Sequence, residues 1–161
     1  MHHCFPPVTR TDTRVLVLGS LPGAISLAEQ RYYANPRNLF WRLMSDVIGR
    51  DLVPLAYEDR LAALLDAKVG LWDTVAAATR EGSLDAAIRL HQASDLAALA
   101  AASPDLRAIA FNGATSAKIG RRQLGSAPGL ALIDLPSSSP AHASLSFEKK
   151  RDSWLRLAAY L

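Results

Sequence analysis

VLVLGSLPGAISLAEQRYYANPRNLFW, residues 15–41, decides how this chain folds. It sets an apolar strand, Val15–Leu18, directly before the tight turn Gly19-Ser20-Leu21-Pro22-Gly23. Tyr32 and Tyr33 follow, and Asn35-Pro36-Arg37-Asn38 opens a helix. Small residues at a strand end let a ligand approach the backbone closely. The tyrosines supply flat faces for a ring, and Asn38 supplies a neutral amide able to hold a water. Together they describe a pocket for a planar heterocycle.

Further β-type runs lie at Lys68–Trp72, Leu106–Phe111 and Leu130–Leu135, so the first strand is read as Arg14–Leu18 in a set of four. Strands that alternate with helices imply βαβ units and a parallel sheet. Asn35 is a good N-cap, Pro36 suits the first helical position and Gly49 suits the end. Leu39, Phe40, Leu43, Met44, Val47 and Ile48 then form one apolar stripe, with Asn38 in the first turn and off that stripe. Ser26-Leu27-Ala28-Glu29 has the capping-box pattern and marks a short helix start. Helices are also expected over Leu61–Asp66, Asp95–Ala102, Ala114–Leu124 and about Phe147–Tyr160.

Bulk properties narrow the class. A chain of 161 residues suits one domain with a full core, so residues 1–161 are read as a single domain. No apolar run is long enough to cross a bilayer, and the start has neither a basic region nor an apolar one, so a cytoplasmic protein is expected. The single cysteine, Cys4, excludes an internal disulfide and a four-thiolate metal site. His2, His3 and Cys4 read as a frayed terminus rather than a metal site. No other His, Asp or Glu spacing resembles metal ligands, so no metal and no cofactor is expected. The net charge of +3 permits a polyanionic partner without requiring one.

In open α/β sheets, ligands bind beyond the carboxyl ends of the strands. Here those ends lead into Gly19–Gly23, Asp73-Thr74, Asn112-Gly113 and Pro136-Ser137-Ser138-Ser139-Pro140-Ala141-His142. Each has a structural reading beside the functional one. Ser20 could cap its loop, and Asp73 could cap a helix after the second strand. Asn112-Gly113 could be a simple turn, and the tyrosines ordinary packing. Ser137–Ser139 could be a polar loop, and His142 a structural histidine. Lys149-Lys150-Arg151 and Arg121-Arg122 could contact phosphate or lie on solvated faces. There is no G-x-G-x-x-G, no Walker lysine and no G-x-S-x-G elbow.

The segments VLVLGSLPGAISL, YYANPRNLFW, GLWDTVAAATREGSLDAAI, AIAFNGATSAKI and LPSSSPAHAS together resemble the uracil-DNA glycosylase superfamily, and within it the deoxyinosine (hypoxanthine) DNA glycosylase branch. They occur in family order. The resemblance implies a three-layer α/β/α fold around a central four-stranded parallel sheet. It implies that GSLPG is the first active-site motif, with Leu21 where many relatives place an Asp or Asn that holds the attacking water. In the branch resembled, the catalytic asparagine corresponds to Asn38. Tyr33 corresponds to the ring stacked on the flipped base, and Asp73 to the side chain that reads the base edge. Pro136, Ser137, Ser138, Ser139 and Pro140 correspond to the loop that enters the minor groove and presses on the backbone. Ser20, Leu21 and His142 are candidates at the leaving base.

The resemblance further implies a monofunctional enzyme on double-stranded DNA carrying a deaminated base, expected as a monomer with the nucleoid as its place of work. Hypoxanthine is the expected base, with uracil and xanthine as secondary ones. Two competing readings stay open. One is a non-catalytic nucleotide- or phosphate-binding module on the same frame, and the other a hydrolase of free nucleosides.

Overall fold

The computed structural model describes residues 2–3, 5–80, 88–127 and 129–161. In chain order the elements are β1 (His2–His3), β2 (Val15–Gly19), α1 (Ala24–Glu29), α2 (Phe40–Ile48), α3 (Tyr57–Asp66), β3 (Val69–Asp73) and β4 (Val75–Arg80). They continue with β5 (Ile88–Ala93), α4 (Leu96–Ala101), β6 (Ala108–Asn112), α5 (Ala114–Leu124), β7 (Ala131–Leu135), α6 (Phe147–Trp154) and a 3₁₀ turn, Leu155–Tyr160. Cys4 and part of the GLWDTVAAATREGSLDAAI segment lie outside the described residues.

The central sheet has the order β3-β2-β6-β7, and every neighbouring pair is parallel. Its strands are the four read from the sequence, with every end within two residues of its expected place. β2 and β6 are buried on both faces, as central parallel strands are. Alternation then sorts their side chains. Val15, Val17, Ala108 and Ala110 face a layer built by α2, α3 and α6, where Phe40, Met44, Leu64 and Trp154 pack. Leu16, Leu18, Ile109 and Phe111 face α4 and α5 through Leu96 and Ala117. Small residues on one face of β6 make room for large aromatics above them, while the other face is large. Gly120 of α5 answers Phe111: a Cβ there would lie 2.3 Å from the ring. The result is an α/β/α sandwich.

Several local expectations are corrected. β3 runs on into a second sheet, β1-β4-β5, which is antiparallel. No helix follows Asp73, so it caps none. The alanine-rich run after Asp73 forms strand because its backbone pairs with β5. His2–His3 are paired with β4 rather than frayed. α1 begins at Ala24, before the proposed capping box, and the Ser26 hydroxyl instead accepts the Ala34 N–H at 3.0 Å. The last helix changes to 3₁₀ geometry at Leu155.

Candidate active site at the carboxyl edge of the sheet

The carboxyl ends of β2, β3, β6 and β7 open on a cavity of about 350 Å³. The turn Gly19–Gly23 forms one wall, Asp73 and Asn112 the strand side, Tyr32, Tyr33, Asn35 and Asn38 another wall, and Ser137–His142 the far lip. The structure thus brings the sequence-derived candidates to one place: Gly19, Ser20, Leu21, Pro22, Gly23, Tyr33, Asn38, Asp73, Ser137, Ser138, Ser139, Pro140 and His142 all line it. Pro136 stands just outside, its carbonyl accepting the Trp154 indole N–H at 2.9 Å. Ser20 and Leu21 are buried at 5% and 6% exposure, so they form wall rather than rim.

Tyr33 is held in the left-handed region at φ 51°. A non-glycine residue there costs about 1–2 kcal/mol, so the surroundings must impose it. They do. Its ring stacks on the buried Phe40 ring at 3.8 Å between centroids and 8° between planes. Its carbonyl accepts the Trp41 indole N–H at 3.1 Å, and its hydroxyl accepts from Asn112 Nδ2 at 3.3 Å. Phe40 therefore backs the ring rigidly from one side. Tyr32 has a more structural place. It is 4% exposed, its hydroxyl donates to the Pro6 carbonyl, and its N–H donates to the Tyr57 hydroxyl.

Asp73 pairs in register with Gly19 across β2 and β3. It is 3% exposed, and its Oδ1 lies 2.7 Å from where a Cβ on residue 19 would sit. Glycine at 19 is what lets the carboxylate lie against the end of β2. The Tyr33 hydroxyl is 3.5 Å from the same point, so carboxylate and phenol gather at one end of the cavity.

The asparagine turn differs from expectation. α2 starts at Phe40 with Leu39 as its N-cap, not at Pro36. The Asn35 side chain accepts the Arg37 N–H at 3.0 Å, and its carbonyl accepts the Asn38 N–H at 2.9 Å, closing a turn. Leu39 N–H is drawn to the Ser138 carbonyl at 3.0 Å, which ties the helix start to the far lip. Asn38 Oδ1 then accepts the Phe40 N–H at 3.0 Å. Asn38 is therefore not in the first helical turn but just before the helix, where its side chain satisfies the first helical N–H. This bond also fixes which amide atom is oxygen and where it stands. An amide oxygen has two lone pairs, so one remains for a water.

The far lip is pinned from three sides. Ser138, 1% exposed, donates its N–H to Asn112 Oδ1 at 2.9 Å, and its hydroxyl accepts from Asn112 Nδ2 at 2.9 Å. Ser138 is therefore a structural residue and not a phosphate donor, because it is buried, its N–H is spent on Asn112 and its carbonyl on Leu39. Ser137 and Ser139 hydroxyls accept the N–H groups of Ser139 and Ala141, leaving each hydroxyl proton to donate. His142 is half-buried. Its Nδ1 is buried with no hydrogen-bond partner among the described residues, and its Nε2 is 3.5 Å from the Ser144 hydroxyl.

The basic run after the lip divides three ways. Lys149 is exposed, Arg151 pairs with Asp46 at 2.9 Å, and Lys150 is 1% exposed, its ammonium donating to the His142 carbonyl at 2.6 Å. Burial lowers the Lys150 pKa from the ordinary lysine value. Arg121 pairs with Asp134 and is likewise committed. Asn112 and Lys150 are the residues that sequence reasoning under-read. A position at a strand's carboxyl end was the one signal for Asn112, while Lys150 was hidden in an apparently solvated run. Among the described residues, no group of three His, Cys, Asp or Glu side chains is placed to hold a metal ion. No helix among them is long and apolar enough to cross a membrane.

Comparison with known proteins agrees with this geometry. The family model for the uracil DNA glycosylase superfamily matches residues 6–160. Two curated proteins called hypoxanthine DNA glycosylase are similar. The one from Methanosarcina barkeri is 38% identical over 150 residues, 93% of each chain. The one from Methanosarcina acetivorans is 41% identical over 149 residues, 92% of each. A solution NMR structure described as a uracil DNA glycosylase from Methanosarcina acetivorans superposes with a TM-score of 0.86 at 38% identity, covering 98% of this chain and 96% of that one. Matched by the family model over nearly its whole length, and 38–41% identical to relatives over more than nine-tenths of it, this chain belongs to the uracil DNA glycosylase superfamily.

Proposed function

We propose that the chain is a monofunctional DNA glycosylase that flips a deaminated base out of duplex DNA and hydrolyses its N-glycosidic bond. Hypoxanthine is the preferred base, with uracil and xanthine as secondary ones. One observation carries this reading. A single cavity holds a rigidly backed ring, a buried carboxylate and an amide oxygen fixed in place by a backbone N–H. The names of the similar Methanosarcina proteins support the choice of hypoxanthine.

Flipping costs a few kcal/mol, least at a damaged pair, and stacking on an aromatic ring returns about 1–3 kcal/mol. Because Phe40 already holds Tyr33, the ring need not be ordered again on binding. Asp73 accepts the ring N–H of hypoxanthine. Adenine presents a lone pair at that ring position, which a carboxylate repels, so the deaminated base is favoured over its parent. Uracil offers the same N–H beside a carbonyl and is a poorer but competent ligand.

In the chemical step the C1′–N bond breaks and its electron pair leaves with the base. Donors near the departing ring stabilise that charge. His142 and backbone N–H groups of the Ser20-Leu21 turn are the candidates. A water held on the second lone pair of Asn38 Oδ1 adds to C1′, and its proton goes to solvent. Against so electron-poor a centre, orientation matters more than basicity, so a neutral amide suffices. Leu21 leaves the first motif without a water-holding group, which puts that task on Asn38. The exposed sides of the Ser137–Ser139 loop and Lys149 meet the phosphates. The protein works as a monomer, in the cytoplasm and on the nucleoid, as one domain without a cofactor.

The test is alkali cleavage of duplexes carrying deoxyinosine, deoxyuridine or deoxyxanthosine after incubation with the protein, beside free inosine. Cleavage strongest at deoxyinosine is expected. Binding without cleavage would favour the non-catalytic module, and release from inosine alone the nucleoside hydrolase.

A further inference from the structure

Lys150 is hard to account for as packing alone. It is 1% exposed, yet no carboxylate among the described residues pairs with it. Among the described residues its one hydrogen bond goes to the His142 carbonyl, 2.6 Å away. Burying a cation on a single neutral acceptor is unfavourable, and a neutral donor would satisfy that carbonyl as well. The position is dictated by α6, whose Lys150 and Trp154, four residues apart, reach the lip at His142 and Pro136 respectively.

The geometry of the peptide says what the charge does. No peptide among the described residues is cis, and in a trans peptide the C=O and N–H point in opposite directions. With the His142 carbonyl aimed at Lys150, the Ala143 N–H is aimed away from it. Ala143 is exposed, and no hydrogen bond reaches its N–H among the described residues. A buried cation thus stands behind an outward N–H one residue beyond His142, which lines the far lip of the cavity. Such an arrangement orients the dipole and adds positive potential to it, as helix N-termini and backbone nests do for anions.

We propose that the Ala143 N–H, polarised by Lys150 through the His142 peptide, is a phosphodiester-binding site that grips the backbone beside the flipped nucleotide. It rests on the glycosylase reading for the source of the phosphate. The site works without Lys150 reaching solvent, and it makes Lys150 a positioning residue rather than a direct contact.

The experiment uses the full chain and a duplex carrying a tetrahydrofuran abasic analogue, which cannot be cleaved. Lys150→Met keeps the length and the apolar stem while removing the charge. It should weaken binding about 10- to 100-fold, the worth of a charge-assisted hydrogen bond. The slope of log K against log salt should shrink by less than the one unit that a direct phosphate contact would remove, because Lys150 stands behind the amide. In the wild type, the Ala143 amide resonance should move downfield on titration with the same duplex; this reading stands even if Lys150→Met fails to fold. Wild-type affinity and slope in Lys150→Met, or an unmoved Ala143 amide in wild type bound to the duplex, overturns the site alone. No binding of the duplex by wild type sinks both the site and the glycosylase reading.

Discussion

Replacing Asn112 with alanine should destabilise the protein and slow base release together. Asn112 Oδ1 accepts the Ser138 N–H at 2.9 Å, and Nδ2 donates to the Ser138 hydroxyl at 2.9 Å and to the Tyr33 hydroxyl at 3.3 Å. The first loss is the largest, because Ser138 is 1% exposed and its N–H would stay buried. Leaving a buried donor unmade costs about 1–3 kcal/mol, and a neutral bond is worth about 0.5–1.5 kcal/mol. The hydroxyl can rotate toward another partner, and the long bond to Tyr33 adds little. The sum is about 2–4 kcal/mol. For a chain of 161 residues that is a fall in Tm of about 5–15 °C. The assay is urea unfolding of Asn112→Ala, Ser138→Ala and the double variant. A coupling of about 0.5–1.5 kcal/mol between the two sites is expected. Tyr33→Phe, which removes the 3.3 Å bond but leaves both bonds between Asn112 and Ser138 in place, should cost less than Asn112→Ala. If Asn112→Ala stays within about 0.5 kcal/mol of wild type, water has replaced the side chain and the pinning argument is wrong.

Gly19→Ala should slow base release about 10²-fold, because the new Cβ would stand 2.7 Å from Asp73 Oδ1 and move the carboxylate. Single-turnover rates check this, and wild-type kinetics would show that the position of Asp73 is unimportant. Asp73→Ala should discriminate between deoxyinosine and deoxyadenosine less well than Asp73→Asn, since only the amide can still accept the ring N–H; equal discrimination by both would remove Asp73 from base reading. Lys149→Ala should lower affinity equally for duplexes carrying deoxyinosine or deoxyuridine, and a loss confined to one of them would mean that it touches the base. Activity on deoxyinosine should persist in excess EDTA, and loss that added Mg²⁺ or Zn²⁺ restores would contradict this.

What was legible in the sequence follows from how local each cause is. Apolar runs ending in Gly, Pro, Asn or Ser fix strand ends locally, so the sheet and its carboxyl edge could be read. Helix starts decided by distant partners could not. Asn35-Pro36 carries every local signal for a cap, but Leu39 N–H goes to Ser138 and Asn38 becomes the cap of Phe40. The run after Asp73 is rich in alanine and has no strand signal of its own; pairing with β5 makes it one. Lys150 shows the same limit. A triplet of cations looks solvated, and only the packing of α6 against the lip puts its middle member inside.

The role of Asn38 is the claim on which the mechanism turns. Single-turnover release of hypoxanthine from a deoxyinosine duplex should fall about 10²–10⁴-fold in Asn38→Ala, the range for a positioned proton-handling group. Because Asn38 Oδ1 caps the Phe40 N–H, the variant should also lose about 0.5–2 kcal/mol of stability, so its folded state must be verified at the assay temperature. Asn38→Asp keeps an oxygen for both the cap and the water and should retain far more activity than Asn38→Ala. The account predicts a folded Asn38→Ala protein that binds the abasic duplex like wild type and barely releases the base. Near-wild-type release by that folded variant would contradict it and move the search for the water-holding group to Ser20 or His142.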